Sequence, residues 1–328
     1  MDNILSLEQR ASLQAIYITG TTASGKSALA LEVAKRLGGE IISVDSMQVY
    51  RGLDIGTDKI SLKIRESIPH YLIDIREIEE QFDAASFITE ASSAVKKIQS
   101  CGKIPIFCGG TGMYFKIWLE GLASVPPPSD KIRERLSSLS LEELQKMLLQ
   151  KDPASAQKID LKNRRRVERA LEIFLITGKS ASLKNICWKG YESGTKPFLF
   201  ILQREKEELI QRINLRVERM FEQGLVEETC FLLKQGLEKN KTAMQAIGYR
   251  QIAAYLRGEI KSLSEAKEEI KIRTRQFAKR QRTWFRGQMG YGETFTVSEQ
   301  IEKLAKEIEQ KYYFFIEKSQ KKIDSSLC

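Results

Sequence analysis

Ile16-Tyr17-Ile18-Thr19-Gly20-Thr21-Thr22-Ala23-Ser24-Gly25-Lys26-Ser27 joins a short apolar run to a glycine-bounded loop, and Ala28, Leu29, Ala30 and Leu31 continue as a helix-forming run. All four fixed positions of G-x-x-x-x-G-K-[ST] are present, with the strand before and the helix after that the motif requires. Backbone amides at a helix N-terminus, in a loop whose glycines allow close approach, bind a di- or triphosphate because the dipole and the unpaired N–H groups both face it. The candidate diphosphate-binding run is therefore Gly20, Thr21, Thr22, Ala23, Ser24, Gly25, Lys26 and Ser27. In it Lys26 adds a point charge for the terminal phosphates and Ser27 a hydroxyl for a Mg²⁺. The bland alternative is a chance glycine-rich turn. The motif leaves the chemistry open, since kinases, ATPases, GTPases and some transferases all use it.

Outward from the loop, the first helix runs to Leu37 and stops at Gly38-Gly39. Glu40 to Asp45 follows as a buried parallel strand with Asp45 at its C-terminal end, the sheet edge where α/β folds bind ligands. Ser46 to Thr57, polar and carrying Gly52 and Gly56, is expected as a loop crossing the site. Tyr71 to Asp74 reads as a strand, Ala84 to Ser100 as an amphipathic helix, and Ile104 to Cys108 as a strand closing on Gly109-Gly110-Thr111-Gly112. The alternation predicts an α/β fold, a P-loop NTPase-like doubly wound parallel sheet, over residues 1–120. Pro126-Pro127-Pro128 breaks the pattern, and Asp130 reads as a helix N-cap. Residues 121–196 are expected as a helical insertion domain. Phe198 to Leu202 resumes the sheet, so residues 197–328 are expected to supply one further strand and a helical C-terminal region, with the tail from Tyr312 solvated.

The chain has 328 residues, 42% of them hydrophobic, and 53 Lys and Arg against 43 Asp and Glu give a formal charge of +10. Such a balance favours polyanionic partners, nucleic acid first. The five cysteines form no C-x-x-C pair, which suggests neither a disulfide framework nor a zinc knuckle and fits a reducing cytoplasm. No apolar run approaches membrane-spanning length, and no secretory leader is apparent at Met1 to Arg10. A single histidine, His70, rules out multi-histidine metal sites.

Three constellations carry chemistry. In Asp45-Ser46-Met47-Gln48-Val49-Tyr50 a carboxylate at a strand end beside a phosphate site can hold Mg²⁺, orient a nucleophile or accept its proton; it can equally cap a turn. In Gly109-Gly110-Thr111-Gly112-Met113-Tyr114 the glycines let backbone and the Thr111 hydroxyl approach a ligand, or make a plain tight turn. Third, Lys271, Arg275, Lys279, Arg282 and Arg286 fall within an arc of about 80° on one helix, with Ile270, Phe277 and Trp284 opposite. Between Lys261 and Gly290 nine basic residues meet three acidic ones, so the stripe favours phosphate-backbone binding over a neutralised surface helix. Arg164-Arg165-Arg166 with Arg169 forms a second basic cluster.

Taken together these blocks resemble the tRNA dimethylallyltransferase (tRNA isopentenyltransferase) family of bacterial type. The resemblance runs from Ile16 to about Gly287 and includes Asp45 to Gly52, Asp54-Ile55-Gly56-Thr57, Leu72-Ile73-Asp74, Gly109 to Tyr114, Arg166 to Glu172, Ala246-Ile247-Gly248-Tyr249 and Lys279 to Arg286. It implies transfer of a dimethylallyl group from dimethylallyl diphosphate to the exocyclic amine of the adenosine 3′-adjacent to the anticodon, in tRNAs reading U-starting codons. It also implies Asp45 as general base, Thr111 as a catalytic placing residue, Lys206 beside the diphosphate, and Mg²⁺ as cofactor. Implied contacts to the tRNA anticodon stem-loop are Asp45, Ser46, Met47, Gln48, Arg165, Arg166, Val167, Glu168, Arg169, Lys279, Arg280, Gln281, Arg282, Thr283, Trp284, Phe285 and Arg286. A cytoplasmic monomer is expected. At Thr21, Ile60, Tyr71, Asn163 and Lys206 the chain departs from the family's common residues; at Lys206 an arginine is usual, and lysine keeps the charge without the bidentate fork. A nucleotide or small-molecule kinase using ATP is the alternative, followed by a non-enzymatic RNA binder and a free-nucleotide prenyltransferase.

Overall fold

The computed structural model describes residues 4–11, 13–121, 126–180, 196–297 and 300–326. It divides into two compact units, residues 1–119 with 195–328, and residues 120–194. In chain order the first unit opens with α1 (Leu7–Ala11), β1 (Ile16–Gly20), α2 (Lys26–Leu37), β2 (Gly39–Val44), α3 (Leu62–Ser67), β3 (His70–Tyr71), α4 (Ala84–Ser100), β4 (Ile104–Gly109) and α5 (Gly112–Glu120). The inserted unit holds α6 (Asp130–Ser137), α7 (Leu141–Lys151), α8 (Pro153–Ala156) and α9 (Arg164–Thr177). The chain then returns through β5 (Leu199–Gln203), α10 (Lys206–Glu222), α11 (Leu225–Lys234), α12 (Tyr249–Leu256), α13 (Leu263–Gln288), β6 (Glu293–Thr296) and α14 (Ile301–Ser326).

All six strands form one parallel sheet in the order β3-β2-β4-β1-β5-β6. Every residue of β1 is buried, as expected of a strand covered by helices on both faces. Its register sets Ile18 beside Cys108 on one side and Phe200 on the other. On one face Leu29, Ala30 and Val33 of α2 pack with Ile16, Ile18, Phe200 and Leu202, and Leu304, Ala305, Ile308 and Tyr312 of α14 complete the layer. The C-terminal ends of β1, β2 and β4 thus bring Gly20, Asp45 and Gly110 to one edge.

Three expectations change. The strand at Tyr71 to Asp74 shrinks to a two-residue β3, because Leu72 and Asp74 turn at positive φ of 62° and 56° and the chain leaves the sheet to follow the loop after β2: the Asp74 amide donates to the Gln48 carbonyl at 3.2 Å. A second late strand, β6, pairs with β5; its four residues, none of them fully buried, lack the apolar signal of an interior strand. Tyr312 is not solvated but buried, its ring 5.6 Å from that of Phe198. Ser129, one residue before Asp130, is the N-cap of α6. In the inserted unit, Leu136, Leu144, Leu148, Val167 and Leu171 form its own small core. Cys101, Cys108 and Cys230 are free thiols, while Cys187 and Cys328 lie outside the described residues. No helix among the described residues is long and apolar enough to cross a membrane.

Candidate active site

Between β1 and α2 the loop turns at Ala23 (φ 61°) and Gly25 (φ 98°), and α2 begins at Lys26 with its first-turn amides at the loop. The Lys26 ammonium donates back to the Thr21 carbonyl at 3.2 Å. Burial pushes it below its ordinary value; the nearby Cys108 thiol and Asp45 carboxylate oppose this, and Arg216 adds to it. A poorly solvated ammonium beside a guanidinium is a place short of negative charge. Thr21 Oγ1 and Ser24 Oγ are buried with no hydrogen-bond partner, so the loop holds two donors in waiting.

Three arginines close around the same loop from the strand-to-helix passage after β5. Arg204 Nε donates to the Ser24 carbonyl at 2.8 Å, Arg212 Nε to the Ala23 carbonyl at 2.9 Å, and Arg216 to Thr22 Oγ1 at 3.0 Å. Arg204 also pairs with Glu208, and Arg216 with Asp58 at 3.4 Å. Lys206 is exposed, on the rim of a groove floored by Leu209, Ile210, Ile213 and Ala278 between α10 and α13. Sequence reasoning alone does not single out these arginines. Arg204, Glu208, Arg212 and Arg216 stand four apart, a legible spacing, but one that ordinary solvated ion-pair faces share.

On the acceptor side, Asp45 lies directly past the end of β2. Its Oδ1 accepts from the Met47 amide at 2.8 Å and the Gln48 amide at 3.3 Å, which caps the turn and leaves Oδ2 for a substrate proton. Both readings of Asp45, cap and base, are therefore compatible, one per oxygen. Thr111 Oγ1 accepts from the Ser46 amide at 3.1 Å, and the Thr111 amide donates to the Val44 carbonyl at 3.1 Å, so Thr111 is stitched to the strand end that carries Asp45. The Gln48 carboxamide is fixed at both ends: Oε1 accepts from Ser43 Oγ at 3.0 Å and Nε2 donates to the Thr57 carbonyl at 3.2 Å.

The glycines of the second constellation serve the protein's own packing. A Cβ on Gly109 would lie 2.0 Å from the Val44 oxygen, one on Gly110 2.6 Å from Gln281 Nε2, and one on Gly112 2.3 Å from the Trp284 ring. Gln281, expected at the tRNA, is buried: its Oε1 accepts from the Thr22 amide at 2.8 Å and its Nε2 donates to the Gly110 carbonyl at 2.9 Å. Phe285 is buried too, in the packing face of α13 with Ala266, Ile270 and Ala278, whereas Phe277, expected on that face, is 37% exposed. The basic stripe divides. Lys271 is neutralised by Glu218 and Glu268, Arg273 by Glu269, and Arg275 donates to Asn214; Lys279, Arg280, Arg282, Thr283 and Arg286 are exposed.

In the inserted unit Arg164 pairs with Glu168 at 2.6 Å and donates to the carbonyls of Leu136, Ser137 and Leu139. Arg169 pairs with the buried Glu172 at 2.5 Å, and Arg133 and the Ser129 amide converge on the same carboxylate. Burial alone would raise the Glu172 carboxyl, but these donors hold it below its ordinary value. Arg164 and Arg169 thus hold the insert together, Val167 is in its core, and Arg165 and Arg166 are exposed.

As for a metal, no cluster of three or more His, Cys, Asp or Glu side chains suited to an ion occurs among the described residues. Ser27 is exposed at the head of α2, its hydroxyl within hydrogen-bonding reach of the buried Cys108 thiol, which burial pushes up to about 11. One hydroxyl with phosphate oxygens and water is a donor set that suits Mg²⁺ and no preformed protein cage.

A cation-lined phosphate loop, with a carboxylate and a hydroxyl on the neighbouring strand ends, defines a P-loop protein that acts on a phosphorylated donor and a second substrate. Over residues 48–288 the chain matches the family model described as IPP transferase, a span that begins after the P-loop and Asp45 and ends with α13. The tRNA dimethylallyltransferase of Geobacter metallireducens is 43% identical over 284 residues, 85% of this chain and 92% of that one. That of Anoxybacillus flavithermus is 45% identical over 278 residues, 84% and 88% of the two chains. The solved tRNA isopentenylpyrophosphate transferase of Bacillus halodurans has TM-score 0.70 at 35% identity, covering 94% of this chain and 98% of its own. A eukaryotic dimethylallyltransferase solved acting on tRNA gives TM-score 0.69 at 30% identity, over 86% and 73% of the two chains. The chain belongs to the IPP transferase family. These relatives support the transferase reading and not the kinase alternative.

Proposed function

We propose that this chain transfers a dimethylallyl group from dimethylallyl diphosphate to the exocyclic amine of the adenosine 3′-adjacent to the anticodon, in tRNAs reading U-starting codons. The observation that carries the reading is the placement of Asp45, tied through the Thr111 hydroxyl to one strand end while its carboxylate acts on the Lys26 ammonium of the phosphate loop. The bond from the donor's first prenyl carbon to oxygen breaks and its electron pair leaves with diphosphate. The amine nitrogen bonds that carbon, and its proton passes to Asp45 Oδ2. Charge accumulates on the leaving diphosphate, where Lys26, the first-turn amides of α2 and the guanidiniums of Arg204, Arg212 and Arg216 are already concentrated. A Mg²⁺ held by Ser27 and the phosphate oxygens would neutralise part of that charge. An aromatic amine is a weak nucleophile, so orientation by Asp45, Thr111 and Gln48 carries much of the remaining rate.

Lys279, Arg280, Arg282 and Arg286, with Arg165 and Arg166 of the insert, are the exposed cations available to tRNA phosphates. Action as a monomer in the cytoplasm completes the proposal. The test is transfer of radiolabelled dimethylallyl from its diphosphate to unmodified bulk tRNA with Mg²⁺, beside an AMP control and an ATP-hydrolysis assay. Label in tRNA alone is expected; label in AMP, or ATP consumed without label transfer, overturns the reading.

A further inference from the structure

Two sequence blocks, Asp54 to Thr57 and Ala246 to Tyr249, have no part in the chemistry above, yet they meet. Tyr249 is fully buried at the start of α12, and its hydroxyl accepts from the Gly56 amide at 3.0 Å while donating to Glu228 Oε1 at 2.6 Å. Glu228, from α11, in turn accepts from the Ile55 amide with both oxygens, at 3.0 and 3.1 Å. Gly56 allows the contact: a Cβ there would lie 2.4 Å from the tyrosine ring. One carboxylate and one phenol thus hold two consecutive main-chain amides of a surface loop. Immediately beyond, the Thr57 carbonyl accepts from Gln48 Nε2 at 3.2 Å, and Asp58, strained at φ 54°, pairs with Arg216 at 3.4 Å. The loop therefore braces the turn that carries Asp45 on one side and an arginine of the phosphate loop on the other.

We infer that Glu228 and Tyr249 are positioning residues for prenyl transfer: by anchoring Ile55 and Gly56 they set the Thr57 carbonyl, which orients Gln48 and the Asp45 turn to which its amide is bonded. The inference rests on the proposed role of Asp45. A buried carboxylate is a costly way merely to fasten a loop, since apolar packing would serve stability as well. Held at both ends, the Gln48 carboxamide cannot flip without breaking its bond to Thr57, so a shift of the loop reaches the base directly.

The test reads single-turnover rate constants on preformed complexes, which do not depend on the fraction of molecules folded. Tyr249→Phe and Glu228→Leu are expected to slow transfer by about tenfold to a hundredfold, the scale of a displaced reacting geometry, with KM for dimethylallyl diphosphate within about threefold of wild type. Glu228→Gln, which keeps an acceptor for Ile55 and Tyr249, is expected within about threefold of wild type. In a Gln48→Ala background, Tyr249→Phe is expected to cost less than about twofold more, because both changes act through one hydrogen bond. Fully additive losses, or reduced amplitude at an unchanged rate constant, overturn the inference. Absence of transfer by the wild type would instead overturn the proposed function.

Discussion

Gln281 Oε1 accepts the Thr22 amide at 2.8 Å while its Nε2 donates to the Gly110 carbonyl, so one carboxamide on the long basic helix ties the phosphate loop to the glycine turn of the next strand. Gln281→Met keeps the length and removes both bonds, each worth about 1 kcal/mol. KM for dimethylallyl diphosphate is expected to rise about tenfold, with tRNA affinity within about twofold of wild type by filter binding. A large loss of tRNA affinity would mean that the side chain reads RNA.

Asp45 divides its work between two oxygens, and two substitutions separate them. Asp45→Asn keeps the Oδ1 acceptor for Met47 and Gln48 and removes the base; turnover is expected to fall by about 10² to 10⁴ with melting temperature unchanged. Asp45→Ala loses the cap as well and is expected to be about 1 kcal/mol less stable in addition. Equal turnover by the Asn variant and wild type would remove Asp45 from proton transfer.

Around the diphosphate, Arg216→Gln is expected to raise donor KM by about tenfold or more, because it removes a charged contact from the Thr22 end of the loop. Lys206→Ala, at an exposed rim, is expected to change it less than about twofold. Steady-state titration of the donor at saturating tRNA checks both, and the reverse ranking would reinstate Lys206.

Lys59 is a stability centre. Its side chain, 2% exposed, donates to the Tyr50 carbonyl at 2.9 Å and bridges Asp54 and Asp74 at 2.5 and 2.6 Å. Lys59→Met is expected to cost about 3 kcal/mol, read from the urea midpoint at constant slope. Burial would raise the Asp74 carboxyl, but bonds from Lys59 and Arg65 hold it below its ordinary value. Its folded pKa being below the unfolded value of about 3.9, its contribution is present above that pH and is lost as pH falls through the folded value. In Asp74→Asn the stability curve is therefore expected to be flatter below about pH 4.

For the basic helix, the triple variant Lys279→Gln, Arg282→Gln, Arg286→Gln is expected to reduce the slope of log affinity against log salt by about 2, some 0.7 to 0.9 for each phosphate no longer neutralised. Lys271→Gln, a cation already matched by Glu218 and Glu268, is expected to leave the slope unchanged.

What is legible from the sequence follows from where the physics is local. The phosphate loop, the helix over Ala84 to Ser100 and the placing of Asp45 at a strand end depend on periodicity and on residues adjacent in the chain, and these match the observed elements. The short edge strand β6 escapes because half-exposed residues carry no apolar run, and the strand at Tyr71 reads too long because apolar residues in a turn with positive φ look like strand. Gln281, Arg212 and Arg216 escape for another reason: their partners are 171 to 259 residues away, and nothing in a helix's own pattern says which neighbour a polar side chain will meet. The cationic stripe is visible as a count, but its neutralised end is not, since Glu218 comes from another helix.

The outermost sheet strand, Glu293–Thr296, and the helix that covers the outer side of the P-loop helix are among the last parts of the chain to be synthesised. During translation the apolar face of Lys26–Leu37 must therefore wait, bare or shielded by a chaperone, until Leu304, Ala305 and Ile308 emerge from the ribosome. A nascent chain stopped just after the basic helix would already carry the exposed cations and the catalytic aspartate, while lacking the layer that buries the helix behind the phosphate loop. Loss of the final segment should thus appear in the cell as aggregation and degradation, before any defect in chemistry could be seen.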